Sequence, residues 1–505
     1  MRVAVFGAGY VGLTTGVTLA WLGHHVTLRD VNAERVAAIQ AGEAPIYEEA
    51  LAGLLASVRQ RGLLDATEDP RMAVASADVI FIAVGTPSGP DGDADMQYVR
   101  SACLSIGENL TEGRRPVIVT KSTVPIGSAN LVKIWVEDGY RAAHGDRPCL
   151  PDAFQVASNP EFLREGQALH DSFFPDRIVI GADAAWAQEI LAELYAPLRA
   201  QNFPEPPGLT RPPSLREVSV LYPDRVSAEM IKYAANAFLA TKISFANEMA
   251  RICDEVGADV ASVMRGIGLD ARIGPLFLDA GVGWGGSCFG KDLGALIHTA
   301  RAYGIEPSLI DATVEVNKAQ RHLAVSLAHD ALKTLRGRRV TVWGLAFKAG
   351  TDDLRDSPSL TIIEELARLG ARITAYDPVA ADNARRLLGD SEVRFASSAL
   401  EAADGAGSRA SVQNIAGMMG DKIRFVFTLR DTRHGKRITE IGEILGFDFK
   451  EHALLWQPVM TYDAVADAFL FHGATDAMQE RAAVEGIDVH LPYNSEAVRL
   501  YRIAT

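Results

Sequence analysis

The sequence predicts an α/β protein with two doubly wound units, a long central helix between them and an atypical C-terminal tail. Three observations lead to this prediction. A strand, a glycine turn, a helix and a second strand open the chain, and a similar strand–helix–strand pattern returns from Arg338. Between them, residues 227–256 keep a helical period without Gly or Pro, which would form a helix roughly 45 Å long. A chain of 505 residues also exceeds one hydrophobic core, so several domains are expected.

The first unit has the pattern of a dinucleotide-binding fold. A strand at 2–6 leads into the turn GAGYVG at 7–12, and Asp30 follows the next strand. Such a turn lets a pyrophosphate sit on a helix N-terminus, and a carboxylate at the second strand accepts hydrogen bonds from ribose hydroxyls. Because Asp30 would repel a 2′-phosphate, the unit is predicted to be Rossmann-like and to bind NAD rather than NADP. The alternative is a glycine turn with a structural role.

Further strands are predicted at 79–84, 116–120 and 177–180, each ending in small or polar residues. Ligands of a parallel doubly wound sheet bind beyond the carboxyl ends of its strands. Thr86 and Thr123 lie at such ends and are candidate site residues. Ordinary turn and cap chemistry is the alternative for each threonine.

The central helix carries a candidate polar pair. Lys232 and Asn236 are four residues apart and share one face, so they are site residues if the cysteine segment lies opposite. Most of the remaining helix surface is expected to be core or dimer contact. The proline-rich segment at 201–224 is predicted to be a linker or a surface excursion.

The segment at 281–292 places Cys288 in a glycine-dense loop, followed by Lys291 and Asp292. Glycines let the backbone approach a ligand closely. A thiol reacts as thiolate, and a nearby lysine is expected to lower its pKa. The alternative is a tight turn around a small buried cysteine.

Composition excludes several classes of protein. A net charge of −14 and a pI near 5.3 argue against non-specific nucleic-acid binding, so an anionic substrate needs local basic groups. Four scattered cysteines give neither a disulfide framework nor a metal-ligand spacing, and no metal is expected. Glycines interrupt the apolar N-terminus, and no apolar run reaches the roughly 20 residues of a membrane span. We therefore expect a cytoplasmic protein without membrane contact.

The second strand–helix–strand unit lacks a glycine motif. Strands are predicted at 340–344 and 371–376, with a helix at 359–369. Lys348 and Arg355 stand where the glycine cradle would lie, and basic groups indicate a second phosphate ligand that is held differently. Two nucleotide-type sites around a reactive cysteine suit an enzyme that oxidises a nucleotide-linked substrate.

Eight blocks, in order, resemble the UDP-glucose 6-dehydrogenase family within the wider UDP-glucose/GDP-mannose dehydrogenases. The resemblance covers roughly the first 400 residues and is carried by GAGYVG at 7–12, VGTP at 84–87, KSTVPIG at 121–127, SNPEFLREG at 158–166, KYAANAFLATKISFANE at 232–248, GLDARIG at 268–274, GWGGSCFGKD at 283–292 and GLAFKAGTDDLRDSP at 344–358. It implies a four-electron oxidation of UDP-glucose to UDP-glucuronate with two NAD. Another nucleotide sugar, such as GDP-mannose or a UDP-N-acetylhexosamine, and a non-catalytic NAD-binding relative remain alternatives.

The resemblance also implies a covalent mechanism. Cys288 attacks the C6 aldehyde to give a thiohemiacetal, and a second oxidation leaves a thioester for hydrolysis. Lys232 and Asn236 match oxyanion stabilisers, while Asp292 and Thr123 match groups that position and deprotonate water. With the carboxylate of the 158–166 block, the implied catalytic set is Cys288, Lys232, Asn236, Asp292, Thr123 and Glu161.

Two binding sets follow from the same resemblance. The cofactor-binding set is Gly7, Gly9, Tyr10, Val11, Gly12, Asp30, Arg35, Thr86, Thr123 and Lys291. The substrate-binding set is Phe162, Leu163, Arg164, Glu165, Lys232, Asn236, Arg272, Gly285, Phe289, Lys348 and Arg355. Arg272 is expected to reach across a dimer interface, so a homodimer or a higher homo-oligomer is predicted.

The expected domains are an NAD-binding Rossmann domain at 1–205, a central helical and dimerisation region at 206–325, the start of a UDP-sugar-binding Rossmann-like domain at 326–403, and an atypical segment at 404–505. Gly290 replaces the family's usual proline in the cysteine loop. After Ala403 the chain leaves the family pattern. The role of residues 404–505 stays open, with strand-like runs at 423–429 and 468–472.

Overall fold

The computed structural model of the chain describes residues 1–89, 92, 94–145, 153–389, 391–399 and 401–402, and the backbone of five strands between 425 and 502. Within these described residues, every helix is too short or too polar to cross a membrane. The architecture confirms the predicted α/β class, with two doubly wound units joined through a long helix.

The first unit contains nine strands and nine helices among its described residues. The strands are β1 (Arg2–Phe6), β2 (His25–Arg29), β3 (Leu64–Thr67), β4 (Val79–Ile82), β5 (Val117–Thr120), β6 (Gln155–Ser158), β7 (Arg177–Val179), β8 (Gly181–Ala182) and β9 (Ser219–Leu221). The helices are α1 (Tyr10–Trp21), α2 (Ala33–Ala41), α3 (Leu51–Gln60), α4 (Pro70–Val74), α5 (Gln97–Glu108), α6 (Ser128–Ala143), α7 (Ala168–Phe173), α8 (Ala185–Leu194) and α9 (Ala196–Ala200).

The main sheet has the order β3-β2-β1-β4-β5-β6-β8, and all neighbours are parallel except the last pair. Side chains of β1 alternate between two cores, because successive residues of a strand point to opposite faces. Val3 and Val5 belong to one buried cluster, whereas Ala4 and Phe6 belong to the other. The sheet is therefore covered by helices on both faces, and the carboxyl ends of β1, β4 and β5 meet at one edge.

One prediction needs correction here, and another is narrowed to one of its two alternatives. The strand predicted at 177–180 does not extend the parallel sheet, because β7 pairs with β9 in a separate two-stranded sheet. The segment at 201–224 is not a free linker. Trp21 Nε1 donates to the Pro204 carbonyl at 2.9 Å, and Val218 is buried in the first core. It is a surface excursion packed onto the first unit, since its apolar side chains have a core to cover.

The central region consists of α10 (Arg225–Val256), α11 (Val260–Gly268), α12 (Phe289–Ala302) and α13 (Ser308–Leu332). The predicted long helix is confirmed. It begins where the Asp224 side chain accepts from the Ser227 N–H at 2.8 Å, and it ends at Gly257 in a left-handed conformation. The exposed apolar residues Phe238, Phe245 and Ile252 recur every seven positions along it.

The second unit contains β10 (Arg339–Trp343), α14 (Pro358–Arg368), β11 (Arg372–Tyr376), α15 (Ala381–Leu388) and β12 (Arg394–Phe395). Its strands form a parallel sheet in the order β10-β11-β12. The tail strands β13 (Phe425–Thr432), β14 (Gly435–Asp448), β15 (Ala453–Asp463), β16 (Ala468–Phe471) and β17 (Arg499–Arg502) form an antiparallel sheet of their own. The two predicted tail strands overlap β13 and β16.

The glycine turn gives a first testable prediction. A Cβ at Gly12 would overlap the Gly7 carbonyl oxygen, whereas a Cβ at Gly9 meets no atom within 4 Å. We expect Gly12→Ala to lower the stability of the first unit by about 1–3 kcal/mol, because the clash is with rigid backbone. Gly9→Ala is the matched control, with a loss below about 1 kcal/mol. Urea unfolding followed by circular dichroism measures both, and equal losses would contradict the steric argument.

Candidate active site

The N-terminus of α1 is open toward the edge where β1 and β4 end. Gly9 occupies the N-cap position, and within the described chain no side chain caps this helix and its first turn has no acidic residue. The free N–H groups and the positive end of the helix dipole suit a phosphate group. The Val11 side chain packs against the first core, so this residue offers its backbone to the edge.

Asp30 follows β2 and stabilises the glycine turn through hydrogen bonds. Its carboxylate accepts from the Ala8 N–H at 2.7 Å and the Asn32 N–H at 2.9 Å, and it pairs with Arg35 at 3.1 Å. Burial opposes ionisation, but these donors and Arg35 hold the pKa of Asp30 below its ordinary value. A permanent carboxylate at this position fits the ribose of NAD. The glycine turn and the uncapped helix fit its pyrophosphate.

Tyr10 has a partner that the sequence did not indicate. Its hydroxyl bonds to Glu48, and it accepts from the Gly166 N–H at 2.6 Å. The Glu48 carboxylate accepts from the same N–H at 3.0 Å. Tyr10 therefore fastens α1 to the 158–166 block, and the burial of its hydroxyl raises its pKa.

Thr86, Thr123 and Lys291 come together at the strand ends. The Thr86 hydroxyl donates to the Thr123 carbonyl at 2.8 Å. Lys291 Nζ lies 3.4 Å from the same hydroxyl and 2.8 Å from Asp292. The loops after β4 and β5 therefore contact the first turn of α12, which carries the cysteine segment.

Two buried polar pairs connect α10 to its surroundings. Lys232 Nζ is 2.9 Å from the Glu161 carboxylate, and Asn236 Nδ2 donates to Asp292 at 2.6 Å. The cysteine segment thus lies opposite the predicted helix face. One turn before Lys232, the Glu229 carboxylate accepts from the N–H groups at the start of α6, which fixes α10 against the first unit.

The ion pair keeps both partners charged. Burial alone would lower the pKa of Lys232, but the attraction of Glu161 and Asp292 raises it above its ordinary value. Burial would raise the pKa of Glu161, but Lys232 and the Leu163 N–H lower it below its ordinary value. Lys232 is therefore a permanent cation that can stabilise an oxyanion, and Glu161 is a permanent carboxylate.

Cys288 occupies the N-cap position of α12, with its sulfur 3.6 Å from the Ser287 hydroxyl. A nearby lysine does lower the pKa of Cys288, as expected, but it is Lys232 and the net shift is upward. Burial and the charge of Glu161 raise the pKa of the thiol, and they outweigh Lys232. Lys291 has a different role, since its ammonium is held by Asp292 and Thr86. The thiol is predominantly neutral when the site is empty of charged ligands.

The 158–166 block forms one wall of the site. The Phe162 ring lies 5.6 Å from Lys232 Nζ and 3.7 Å from the Arg177 guanidinium, while the Leu163 N–H donates to Glu161. Arg164 forms a two-point ion pair with Asp171.

The second unit supplies the opposite wall. Glu165 Oε1 is 3.2 Å from the Ser287 hydroxyl and 3.1 Å from Arg355, which also pairs with Asp353. Burial and a hydrogen bond with Asp353 raise the pKa of Glu165 to about 7. Burial lowers the pKa of Lys348, and the charges of Glu165 and of the cysteine oppose this shift.

The remaining predicted substrate residues divide into two groups. Gly285 and Phe289 belong to the cysteine segment: the backbone at Gly285 lies against Asp356, and the Phe289 ring packs edge-on against Trp284. Arg272 is not brought to the site of its own chain. Its side chain is 88% exposed and pairs with Asp270 two residues earlier.

A cleft of about 1020 Å³ adjoins this cluster. It lies between the two units, and its lining includes Tyr10, Tyr47, Glu165, Arg355 and Asn383. The cleft reaches the cysteine segment through Glu165, whose carboxylate contacts Ser287. Its volume is large enough for a nucleotide.

Several site residues were not identified from the sequence. Lys121 Nζ donates to Asn159 at 3.0 Å, and burial together with the charge of Lys232 lowers its pKa to about 8. Asn317 and Arg321 of α13 bond to the cysteine segment. The sequence does contain a sign of the last two. Asn317 and Arg321 are polar, lie four residues apart and so share one face of α13, where a helix packed on a core normally has apolar residues.

The thiol gives a second prediction, which concerns pH. Since the pKa of Cys288 is raised, its alkylation by iodoacetamide should keep accelerating above pH 8 rather than reach a plateau. Glu161→Gln removes an anion that raises this pKa, so alkylation at pH 8 should be about 3- to 10-fold faster. Lys232→Met removes a cation that lowers it, so alkylation should be slower by a similar factor.

Mass spectrometry of the peptide that contains Cys288 separates this thiol from the other three. Near-ultraviolet circular dichroism checks that both variants are folded. A plateau below pH 8 in the unsubstituted protein, or a change of the same sign in both variants, would contradict the electrostatic assignment.

Comparisons with known proteins agree with this geometry. Three models of the UDP-glucose/GDP-mannose dehydrogenase family match in order: its NAD binding domain at residues 1–199, its central domain at 226–319 and its UDP binding domain at 341–412. The match to an NAD binding domain confirms the predicted cofactor.

Individual relatives cover most of the chain. The UDP-glucose 6-dehydrogenase TuaD of Bacillus subtilis is 43% identical, over 77% of this chain and 78% of that protein. The UDP-glucose 6-dehydrogenase of Rhizobium meliloti is 44% identical, over 77% and 84%. The structure of a UDP-glucose dehydrogenase from Pyrobaculum islandicum has a TM-score of 0.73 at 40% identity, over 80% and 88%. The chain therefore belongs to the UDP-glucose/GDP-mannose dehydrogenase family.

Proposed function

We propose that this protein oxidises UDP-glucose to UDP-glucuronate and reduces two NAD for each sugar nucleotide. The primary alcohol at C6, one water and two NAD⁺ give the carboxylate, two NADH and three protons. Relatives at 43% and 44% identity are named UDP-glucose 6-dehydrogenases, which supports this substrate. The domain division at 1–205, 206–325, 326–403 and 404–505 and a cytoplasmic location are part of the same proposal.

The observation that carries the proposal is the position of Cys288. The thiol senses the charges of Glu161, Lys232 and Asp292, and its segment contacts the first unit through Lys291 and Thr86 and the second through the Gly286 N–H and the Arg355 carbonyl. A nucleophile between a dinucleotide cradle and a second nucleotide site can retain an aldehyde through a second oxidation. One-step alcohol dehydrogenation needs no such group.

Bound NAD supplies the acceptor for the hydride that leaves C6 in each oxidation. The chain's own residues do the rest. Lys232 and Asn236 donate hydrogen bonds to the charge that develops on the C6 oxygen. The Cys288 sulfur bonds to the aldehyde carbon and gives a thiohemiacetal, and its proton passes to a base within the site. The second oxidation converts this adduct to a thioester.

Hydrolysis of the thioester regenerates the thiol. Water adds to the thioester carbon, the carbon–sulfur bond breaks, and the sulfur regains a proton. We assign Asp292 and Thr123 to positioning and deprotonating this water, with Glu161 as the carboxylate that keeps Lys232 charged. The grip on the sugar nucleotide is assigned to Lys348, Arg355 and the 162–165 segment.

A dimer completes the proposed site. Among the exposed apolar residues of α10, Phe238, Phe245 and Ile252 recur every seven positions with exposures of 66%, 46% and 48%, which suits contact with a second copy. Arg272 lies in the loop that follows α11 and points away from its own site. We assign it to the sugar nucleotide bound by the other copy.

The NADH stoichiometry is the third prediction and tests the proposed function directly. With limiting UDP-glucose, absorbance at 340 nm should give two NADH per sugar nucleotide. One NADH per substrate would mean that the aldehyde escapes. Cys288→Ser should stop steady-state turnover and leave NAD affinity unchanged, and unaltered turnover in this variant would overturn the covalent mechanism.

Other sugar nucleotides and the C-terminal tail define the competing outcomes. GDP-mannose and a UDP-N-acetylhexosamine are tested in the same assay, and a higher kcat/KM for either would replace UDP-glucose. A non-catalytic relative is the second candidate, because the described tail strands form a separate antiparallel sheet instead of extending β10-β11-β12. It would bind NAD but form no NADH with any of the three substrates.

Mixing two inactive variants is the fourth prediction. If Arg272 serves the other copy, then heterodimers of Arg272→Ala and Cys288→Ser contain one site with both residues intact. After subunit exchange, turnover should recover to about a quarter of the unsubstituted protein, because half of the dimers are mixed and each has one complete site. Light scattering checks the dimer, and no recovery would assign Arg272 to its own chain.

A further inference from the structure

One arginine bonds to both the cysteine segment and the second unit. Arg321, on α13, donates through Nη2 to the Trp284 carbonyl at 2.9 Å and to the Asp356 carbonyl at 3.3 Å. Its Nη1 donates to the Asp356 carboxylate at 2.7 Å and to the Thr361 hydroxyl at 3.3 Å. Each terminal nitrogen therefore has two acceptors, and the side chain is only 12% exposed. One planar group ties together α13, the cysteine segment and the loop before α14.

The two loops that Arg321 joins are in close contact. A Cβ at Gly285 would overlap the Asp356 carbonyl oxygen, and a Cβ at Gly286 would lie 2.7 Å from the Phe347 ring. The Gly286 N–H donates to the Arg355 carbonyl at 3.0 Å. Asp356 itself has a φ of 50°, which is unfavourable for a residue with a side chain. In this conformation its carboxylate pairs with Arg321 at 2.7 Å.

Asn317 holds the same segment one helical turn earlier. Its Oδ1 accepts from the Trp284 N–H at 2.7 Å, and its Nδ2 donates to the Trp284 carbonyl at 2.9 Å. The segment is thus anchored at Trp284, and Cys288 follows four residues later as the N-cap of α12. Little backbone freedom remains between the anchor and the thiol.

We propose that Arg321 is a positioning residue for Cys288. It does not contact the thiol. It fixes the distance between the nucleophile and the second unit, which carries Lys348 and Arg355. Without it, Asp356 loses its cationic partner, the two loops separate, and the thiol moves relative to Lys232. The catalytic consequence rests on the proposed function, whereas the consequence for thiol exposure does not.

Arg321→Met removes all the donors at similar length, and Arg321→Lys keeps the charge for Asp356 but cannot bridge the loops. His322→Ala is the matched control. His322 is the next residue of α13, and its exposed side chain pairs with Glu365 of α14 at 2.8 Å without contacting the cysteine segment. The His322→Ala variant removes a contact between α13 and α14, the two helices that Arg321 also connects through Thr361.

We expect Arg321→Met to lower kcat about 10- to 100-fold, because displacing a reacting group by about 1 Å has this effect. The KM for NAD should stay within about twofold, since the glycine turn is untouched. Alkylation of Cys288 at pH 8 should become severalfold faster, because burial is the main cause of the raised thiol pKa. Arg321→Lys should recover part of kcat, and His322→Ala should match the unsubstituted protein.

Unchanged kcat and alkylation in Arg321→Met overturn the proposal, as does an equal loss in His322→Ala. If Arg321→Met does not fold, Arg321→Lys decides by the same two measurements. If the unsubstituted protein does not oxidise UDP-glucose, the proposed function fails but the alkylation comparison still tests the positioning role.

Discussion

The ion pair between Lys232 and Glu161 holds the site together. It joins the long helix to the loop after β6, and both side chains are buried. Removing one partner of a buried pair leaves an uncompensated charge, which typically destabilises a protein by about 3–5 kcal/mol. The pair is thus a structural requirement of the junction. It also keeps an ammonium group fixed beside the thiol, ready for charge that develops on a substrate oxygen.

The same pair also affects the protonation of the Cys288 thiol and therefore its nucleophilicity. The carboxylate of Glu161 and the burial of the sulfur raise the pKa of Cys288, and the ammonium of Lys232 only partly compensates. In the proposed mechanism the thiol therefore loses its proton in the step in which its sulfur bonds to the aldehyde carbon.

The second unit contributes geometry as much as binding groups. Its loop at 355–358 lies so close to the cysteine segment that glycine is required at 285, and Arg321 holds the two loops together. Thiol, long helix and second unit therefore behave as one packed assembly. Among the described residues, the tail strands pair only with one another and not with the sheet of the second unit.

The sequence by itself determined the fold class, the NAD cradle, the long helix and the cysteine segment, because these depend on local patterns: glycine spacing, strand and helix periods, and the spacing of Lys232 and Asn236. The tertiary structure decided which charges face each other. The raised pKa of Cys288, the Glu48 partner of Tyr10 and the anchoring by Arg321 join residues from 35 to more than 100 positions apart. Such contacts depend on how the units pack, and no local pattern encodes them.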